Sequence, residues 1–191
     1  MTSPSFLQIK DRRFEVKDSL VCAFLDEDGR LTWMIDVTSQ PKTFDDESWS
    51  PRAYLEGVPW DIGNAREMST TPIVIPDGET FGDGTILPDS MLCCLYVFSH
   101  NFLRDSVTHV QKSSANSFTV SWTAKCDVFF DDDYDFDLPL EIEAQARFLG
   151  ITTQVRDEAK ARSLLSRSFD ESQLSFDPTP EFDTSQFMFR E

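Results

Sequence analysis

Two long stretches of alternating apolar and polar residues constrain the fold of this chain more than any other feature. In residues 118–130, Phe, Val, Trp, Ala and Cys alternate with Thr, Ser, Lys and Asp. In residues 138–148, Leu, Ile, Ala and Phe alternate with Pro, Glu, Gln and Arg. Because successive side chains of a strand point to opposite faces, each stretch predicts a long strand with one buried face. The chain is therefore expected to fold around an antiparallel sheet.

The segment between these two strands predicts how they pair. A hairpin centred on Tyr134 places bulky Trp122 opposite Ala146 and places Lys125 opposite Glu143. The match of a large with a small side chain, and of a base with an acid, supports this register. A slip of two residues in the pairing would keep the same strand faces buried. The pattern therefore specifies the buried face of each strand more firmly than the residue pairs between the strands.

A second hairpin is predicted for residues 18–39. Asp28 and Gly29 separate two apolar runs, and this dipeptide favours a two-residue type I′ turn because both central positions need a positive φ. Such a turn pairs Phe24 with Trp33 and puts the apolar pairs on one face. The turn and the alternation of the flanking residues therefore agree.

Several shorter elements complete the pattern. Residues 6–10 and 13–17 predict two strands joined by a turn. The continuous apolar run at 91–100 predicts a central strand that is covered on both faces, and 102–112 predicts a weaker strand. The period then changes at 155–169, where acidic residues near the start and arginines near the end favour a helix.

Residues 40–90 are rich in proline and glycine, so they predict a long irregular connection. Within this connection, residues 50–57 (SPRAYLEG) predict a short helix with serine at the N-cap and proline at the first helical position. Trp49 and Trp60 are expected to attach the connection to the core.

These elements predict a mainly β protein, either an antiparallel two-sheet sandwich or a strongly bent sheet, with one C-terminal helix. Residues 1–169 are expected to form a single β-rich domain, which is large enough to bury a core without disulfides. Residues 170–191 mix acids, serine, proline and phenylalanine. They predict either a disordered tail or an arm that docks on the body or on a partner.

The charge of the chain restricts the classes of partner. There are 34 acidic and 17 basic residues, which gives a net charge of -17. Binding to nucleic acid or to an anionic membrane depends on Lys and Arg, so both are disfavoured, whereas a basic protein is favoured. The N-terminus lacks the pattern of a signal peptide, and no apolar run reaches the roughly 18 residues of a membrane span. We expect a cytoplasmic protein.

The sequence contains no recognisable catalytic motif. It has no nucleophile elbow, no phosphate-binding glycine loop and no zinc-ligand spacing, so neither an enzyme nor a cofactor is expected. His100 and His109 are the candidates for a base near neutral pH, and both are expected to be ordinary strand or loop residues. The four cysteines are expected to be small buried side chains in a reducing compartment: Cys22, Cys93, Cys94 and Cys126.

Residues 131–137 form a cluster of five aspartates and two aromatic residues without any basic residue. The members of this cluster are Asp131, Asp132, Asp133, Tyr134, Asp135, Phe136 and Asp137. Four of its aspartates alternate like the first ligands of a calcium loop: Asp131, Asp133, Asp135 and Asp137. The resemblance to a calcium loop then ends, because Phe136 stands where the loop requires glycine and Ile142 stands where it requires glutamate.

This cluster is the predicted partner-binding site. Residues 127–143 contain eight acids and no Lys or Arg, a pattern that steers encounter with a cationic surface. Tyr134 and Phe136 are of the type that often anchors an interface. The sequence therefore predicts a small acidic cytosolic protein-binding domain. One specific form is an inhibitor or immunity protein that neutralises a basic toxin or enzyme through an anionic hairpin loop.

Two alternatives remain open. The aspartates at 131–137 also fit a Ca²⁺- or Mg²⁺-binding module or a metal-dependent hydrolase. The phenylalanine-rich segment 170–191 also fits a structural subunit of a larger assembly, in which this segment would be the docking arm.

Overall fold

Strands make up most of the chain, as the period-two pattern predicts. The computed structural model describes residues 5–44, 47–75, 92–114, 116–130, 133–179 and 184–190. In this part of the chain the strands are β1 (Phe6–Ile9), β2 (Arg12–Leu25), β3 (Leu31–Ser39), β4 (Lys42–Phe44), β5 (Glu47–Trp49), β6 (Arg52–Val58), β7 (Ile73–Ile75), β8 (Cys93–Val97), β9 (Ser99–Phe102), β10 (Arg104–Ser114), β11 (Ser117–Phe130), β12 (Asp133–Thr153), β13 (Leu174–Thr179) and β14 (Thr184–Phe189). A single α-helix, α1 (Glu158–Leu165), lies between β12 and β13 in the described chain.

Twelve of the described strands form one strongly curled sheet, shaped like half of a barrel. Its main path runs β7, β10, β11, β12, β1, β2, β3, β6, β8 and β9, while β14 joins β12 and β13 joins β14. The pairings are antiparallel except that β12 and β2 also pair in parallel. Strands β4 and β5 form a separate small sheet. The prediction of a mainly β fold with a strongly bent antiparallel sheet and one helix is confirmed.

Strand β12 curls the sheet because it changes neighbours along its length. Its first part pairs with β11 and β1, and its last part pairs with β2 and β14. A register shift between Phe148 and Ile151 marks the change, and Gly150 lies within the shift with a φ of +96°. A bulge of this kind bends a strand and increases its twist, so the two ends of β12 can belong to different parts of the curled sheet.

The core of the curled sheet is filled by large apolar side chains. Trp33, Trp122 and Phe118 are at most 1 % exposed. The rings of Phe118 and Phe148 are 5.3 Å apart, and the rings of Phe148 and Phe189 are 5.0 Å apart. This aromatic chain joins the middle of the sheet to the C-terminal strands.

The long hairpin of β11 and β12 has the predicted faces but not the predicted register. Trp122 lies opposite Ile142 rather than Ala146, and Cys126 lies opposite Leu138. The predicted register was wrong by four residues, which is an even number and so leaves the buried face unchanged. The connection between the strands is correspondingly tight, because β11 ends at residue 130 and β12 begins at residue 133.

The hairpin of β2 and β3 differs from its prediction by one residue. Leu25 lies opposite Leu31, and Ala23, rather than Phe24, lies opposite Trp33. The cause is the side chain of Asp26, which accepts hydrogen bonds from the backbone amides of residues 28 and 30 and holds a longer loop than the type I′ turn. A slip of one residue exchanges the faces of a strand, so Phe24 is on the outside and 42 % exposed.

The region predicted as an irregular connection contains a central strand. Residues 52–58 form β6 between β3 and β8, so the prediction of a short helix at 50–57 was wrong. Ala53 and Leu55 are fully buried, and packing within the sheet outweighed the local helix signals. The two tryptophans do attach this region to the core: Trp60 contacts Trp33 at 5.2 Å, and Trp49 contacts Phe98 at 4.8 Å. Residues 76–91 lie outside the described residues.

The C-terminal elements pack on the body of the protein. The predicted helix at 155–169 is shorter, since Asp157 caps it by accepting a hydrogen bond of 2.7 Å from the amide of Lys160. Residues 174–189 then form the β13–β14 hairpin, in which the strands flank the undescribed residues 180–183 and Phe187 is fully buried. No helix in the described part of the chain is long and apolar enough to cross a membrane.

Candidate functional site

The structure places most of the 131–137 cluster in a strand rather than in a loop. Asp131 and Asp132 lie outside the described residues, and so do the side chains of residues 133–135. The backbone of 133–137 belongs to β12 and pairs with the end of β11. Phe136 is 67 % exposed, the most exposed of the large apolar side chains among the described residues. The predicted anionic loop is therefore the end of a long two-stranded projection.

The base of this projection is held by Arg104, the first residue of β10. Its two terminal nitrogens each donate a hydrogen bond of 2.6 Å to one carboxylate oxygen of Asp127. The Nη2 atom also donates to Oδ1 of Asp137 at 3.0 Å. A bidentate pair of this kind fixes both distance and orientation. We call these three side chains the Arg104 clamp.

Two bulges bring the residues of the clamp together. The register of β11 and β12 shifts between Cys126 and Val128, and Asp137 stands opposite this shift with a φ of 53°. Its amide donates to Oδ1 of Asp127 at 2.9 Å, which satisfies the amide that the bulge leaves without a strand partner. A second bulge in β10 follows Arg104, and there Asp105 has a φ of 48° and pairs with Lys125 at 2.6 Å.

The Arg104 clamp keeps the Asp127 carboxyl group deprotonated. The hydrogen bonds from Arg104, together with the amide of Asp137, lower the pKa of Asp127 to about 2. The pKa of Arg104 is raised above its ordinary value by the same hydrogen bonds. Asp127 is therefore ionised over the whole physiological range of pH, and two of the eight acids of this region, Asp127 and Asp137, share one cationic partner. The sequence pattern did not predict Arg104, which lies 23 residues before Asp127.

The four aspartates proposed as metal ligands are only partly described. Asp137 is bound to Arg104 at 3.0 Å, whereas the side chains of Asp131, Asp133 and Asp135 lie outside the described residues. Among the side chains that the structure does describe, no group of three or more His, Cys, Asp or Glu is arranged to hold a metal ion. A metal site at 131–137 stays a prediction, and a complete one would compete with Arg104 for Asp137.

The two histidines belong to separate hairpins. His100 lies in β9 and packs edge-on against Tyr96, with 4.8 Å between the rings. His109 lies in β10 opposite Ser121 of β11. Because β9 and β10 do not pair with each other in the sheet, the strand pairing does not bring the two histidines together.

The four cysteines are free thiols. Burial raises the pKa of Cys93 and of Cys126 to about 12, so both are protonated thiols near neutral pH. Cys94 is also buried, and Cys22 is half-buried. The prediction of small buried side chains is confirmed for three of the four.

No protein-family model, no curated protein and no solved structure matches this chain. The fold alone defines it as a mainly β protein built on one strongly curled antiparallel sheet, whose longest hairpin ends in a run of acidic residues.

The Arg104 clamp leads to a prediction about the dynamics of the projection. In the Arg104→Gln variant, we expect hydrogen exchange at the Asp137 amide to become at least about tenfold faster, because its acceptor Asp127 is no longer held in place. Arg147→Gln is the matched control, since Arg147 forms an exposed ion pair with Asp18 on another part of the sheet. Equal exchange at residue 137 in the parent and in Arg104→Gln would contradict the role of the clamp.

The lowered pKa of Asp127 predicts how stability depends on pH. A carboxylate whose pKa is lower in the folded state stabilises the protein above its ordinary pKa of 3.8, and this contribution is lost as the pH falls towards about 2. We expect the parent protein to be more stable to urea than Asp127→Asn at neutral pH and the difference to shrink over this window. A difference that is constant from neutral pH down to about 2 would show that the ion pair does not stabilise the fold.

Proposed function

We propose that this chain is a protein-binding domain that associates with a basic protein through the acidic end of the β11–β12 hairpin. The observation that carries this proposal is the concentration of eight acids and no base within residues 127–143 of one projecting hairpin. The net charge of -17 acts in the same direction, because it attracts a cationic partner from a distance.

The geometry of the hairpin supports specific binding as well as attraction. Phe136 is 67 % exposed beside the aspartates, and an exposed aromatic side chain gains much of its binding energy when a partner covers it. The Arg104 clamp holds the base of the hairpin, so less conformational freedom is lost on association. Charge brings the partner to the hairpin, and Phe136 gives the complex a desolvated contact.

An inhibitor of a basic toxin or enzyme is the specific form that we propose. An enzyme that acts on a polyanion needs a cationic active site, and an acidic projection would compete with the substrate for that site. An immunity protein that neutralises a nuclease-type toxin in the cytoplasm is one case of this class. The partner in each case is a protein with a basic cleft.

The proposal is tested by a variant that removes charge from the hairpin and leaves the clamp intact. This hairpin-neutral variant carries Asp131→Asn, Asp132→Asn, Asp133→Asn and Asp135→Asn. The matched control removes four exposed acids from other surfaces: Glu27→Gln, Asp28→Asn, Asp61→Asn and Asp177→Asn. Both variants have a net charge of -13, which is -17 + 4, so they differ only in where the charge was removed.

The parent chain is used to capture basic proteins from a lysate of the source organism, and the captured protein is purified and its affinity measured. We expect the hairpin-neutral variant to bind it at least about 100-fold more weakly and the control variant to bind it within about fivefold of the parent. Equal binding by the two variants would contradict the proposed site, and the capture of no basic protein would contradict the proposed class of partner.

The metal alternative is separated by titration calorimetry of the parent with Ca²⁺, Mg²⁺ and Mn²⁺. Under the proposed function we expect no micromolar binding of these ions. Micromolar binding that Asp133→Asn abolishes would overturn the assignment of 131–137 to a protein partner and would establish the metal site instead.

A further inference from the structure

A shallow cleft lies on the outer face of β6, β8 and β9, and it uses no residue of the acidic hairpin. Its volume is about 330 Å³. Five side chains line it: Arg52, Tyr54, Glu56, Tyr96 and His100. The strand register explains why they meet, since Tyr96 lies directly opposite both Arg52 and His100, and residues opposite each other in neighbouring strands share a face.

Arg52 is already neutralised by a side chain of the neighbouring strand. Its Nε atom donates to both carboxylate oxygens of Asp36, at 3.0 and 2.9 Å, and its Nη2 atom donates to the same carboxylate. Asp36 is only 7 % exposed, so its charge is committed to this pair. Because Asp36 is bound to it as a counter-ion, Arg52 adds no net positive charge to the cleft.

The remaining fixed charge in the cleft is negative. Glu56 is exposed, and in the described part of the chain no Lys or Arg forms an ion pair with its carboxylate. The charge of Glu56 affects neighbouring groups. The pKa of the Cys22 thiol is raised mainly by burial and further by the negative charges of Asp36 and Glu56. Burial, with Cys94 and Glu56 adding to it, raises the pKa of Tyr54 to about 12. With Arg52 and Asp36 cancelling, Glu56 gives the cleft a net negative charge.

The aromatic walls of the cleft are held in place. Tyr96 lies between Trp49, at 6.3 Å between rings, and His100, at 4.8 Å. The Tyr54 ring already carries the Arg52 guanidinium 5.4 Å from its centre, which shows that a planar cation fits against a tyrosine on this surface. Rings that are fixed before binding lose little conformational freedom when a ligand arrives.

We propose that this cleft binds a cationic side chain of a partner polypeptide, with an arginine as its best ligand. A guanidinium can lie against the tyrosine rings and donate two parallel hydrogen bonds to the Glu56 carboxylate, whereas an ammonium can make only the point contact. The cleft is thus a second contact for a basic partner, separate from the hairpin.

The position of Phe102 supports the binding of one partner to both the cleft and the acidic hairpin. Phe102 of β9 is 48 % exposed. It lies opposite Cys94 of β8, next to the pair of Tyr96 and His100 that lines the cleft. It is two residues before Arg104, which holds the base of the hairpin. An exposed aromatic side chain therefore lies on the chain segment that links the cleft with the clamp.

The test uses Nα-acetyl-arginine methylamide as the probe and the NMR spectrum of the isotope-labelled full chain as the readout. We expect millimolar binding that shifts the ring signals of Tyr54 and Tyr96. In Glu56→Gln we expect the affinity to fall at least about fivefold, and in the matched control Glu27→Gln to stay unchanged. The uncharged citrulline analogue is expected to cause no such shifts, and the lysine analogue is expected to bind more weakly than the arginine probe.

Three results would overturn the assignment. They are shifts spread evenly over the acidic surface, equal affinity in Glu56→Gln and in the parent, and binding of the acetyl-glutamate analogue at the same signals. Glu56 is exposed, so the Glu56→Gln variant is expected to keep the fold, and its amide spectrum reports this directly. The hairpin-neutral variant keeps the cleft intact, so probe binding by that variant distinguishes failure of the cleft from failure of the proposed hairpin site.

Discussion

The substitution Gly150→Ala is expected to destabilise the protein by about 3 kcal/mol, from backbone strain at a positive φ together with overpacking. A Cβ atom at this position would lie 2.7 Å from Sδ of Met188, 2.8 Å from Cγ of Gln186 and 2.8 Å from the carbonyl oxygen of Phe187. One of these three contacts is backbone, so a side-chain rotation does not relieve all of them. The φ of +96° adds strain for any residue with a side chain.

The physical reason for so large an effect is the position of Gly150 under the C-terminal hairpin. Strand β14 reaches β12 beside this glycine, and its Phe187 and Phe189 are buried there. If the backbone of β14 moves away, these two phenylalanines lose contact with the core. Gly150 therefore sets how closely β14 approaches β12.

Urea unfolding measures this prediction, with Gly63→Ala as the matched control. Gly63 does not have a positive φ, and its nearest neighbour for a Cβ atom is the side-chain oxygen Oε2 of Glu67 at 3.6 Å. A change of less than about 1 kcal/mol is expected there, because the alanine fits and restricts the unfolded chain. Similar losses at both glycines would show that the close approach at Gly150 is not the cause.

Trp122→Ala is expected to have the largest effect of any single side-chain truncation proposed for this protein, about 4 kcal/mol. Trp122 is fully buried in the middle of β11. Its indole Nε1 donates a hydrogen bond of 2.9 Å to Oγ of Ser106, and the Cys93 thiol donates to the same oxygen at 3.3 Å. The substitution opens a large cavity and also removes one donor of this buried group of hydrogen bonds.

Two further variants separate the packing of Trp122 from its hydrogen bond. Trp122→Phe keeps much of the volume, and Ser106→Ala leaves the indole N–H buried without its acceptor; each is expected to cost about 1–3 kcal/mol. Trp49→Ala is the matched control for the residue type, because Trp49 is half-buried at the end of β5 in the small β4–β5 sheet and its loss is expected to cost clearly less. Unfolding in denaturant gives all four values, and a loss for Trp49→Ala equal to that for Trp122→Ala would contradict the assignment of Trp122 to the core.

The two strand hairpins show which part of sheet geometry can be predicted from local sequence. The buried faces of β11 and β12 were predicted correctly, although their partners were displaced by four residues. In the turn after β2, the side chain of Asp26 accepts hydrogen bonds from two backbone amides. The register of β2 and β3 is therefore displaced by one residue, which puts Phe24 on the outside. The alternation of apolar and polar residues specifies which face of a strand is buried. The register depends on the hydrogen bonds of the turn, and loops of several lengths can form such hydrogen bonds.

Strand β6 shows a second limit. Serine, proline and glycine in residues 50–57 are arranged as at the ends of a helix, yet this segment pairs with β3 and β8. Ala53 and Leu55 fill the core only when the segment is extended between these two strands. Local end signals are worth about 1 kcal/mol each, and the burial of a central strand outweighs them.

The candidate sites divide in the same way. The acidic character of residues 127–143 follows from composition alone, and the proposed association with a basic partner is based on it. Arg104 of the hairpin site belongs to a different strand, β10. The side chains that line the cleft of Glu56 belong to three strands, β6, β8 and β9. Neither could be predicted, because no local pattern records which side chains become neighbours across a sheet.

The sequence by itself determined the mainly β class, the buried faces of the long strands and the large negative charge, since each depends on residues that are near in the chain or on their sum. Only the tertiary structure decided the register, the curl at Gly150 and which aspartates Arg104 binds. These features depend on hydrogen bonds and packing between segments that are distant in the chain. Several strand pairings are compatible with the same local pattern, and the packing of the complete sheet favours one of them.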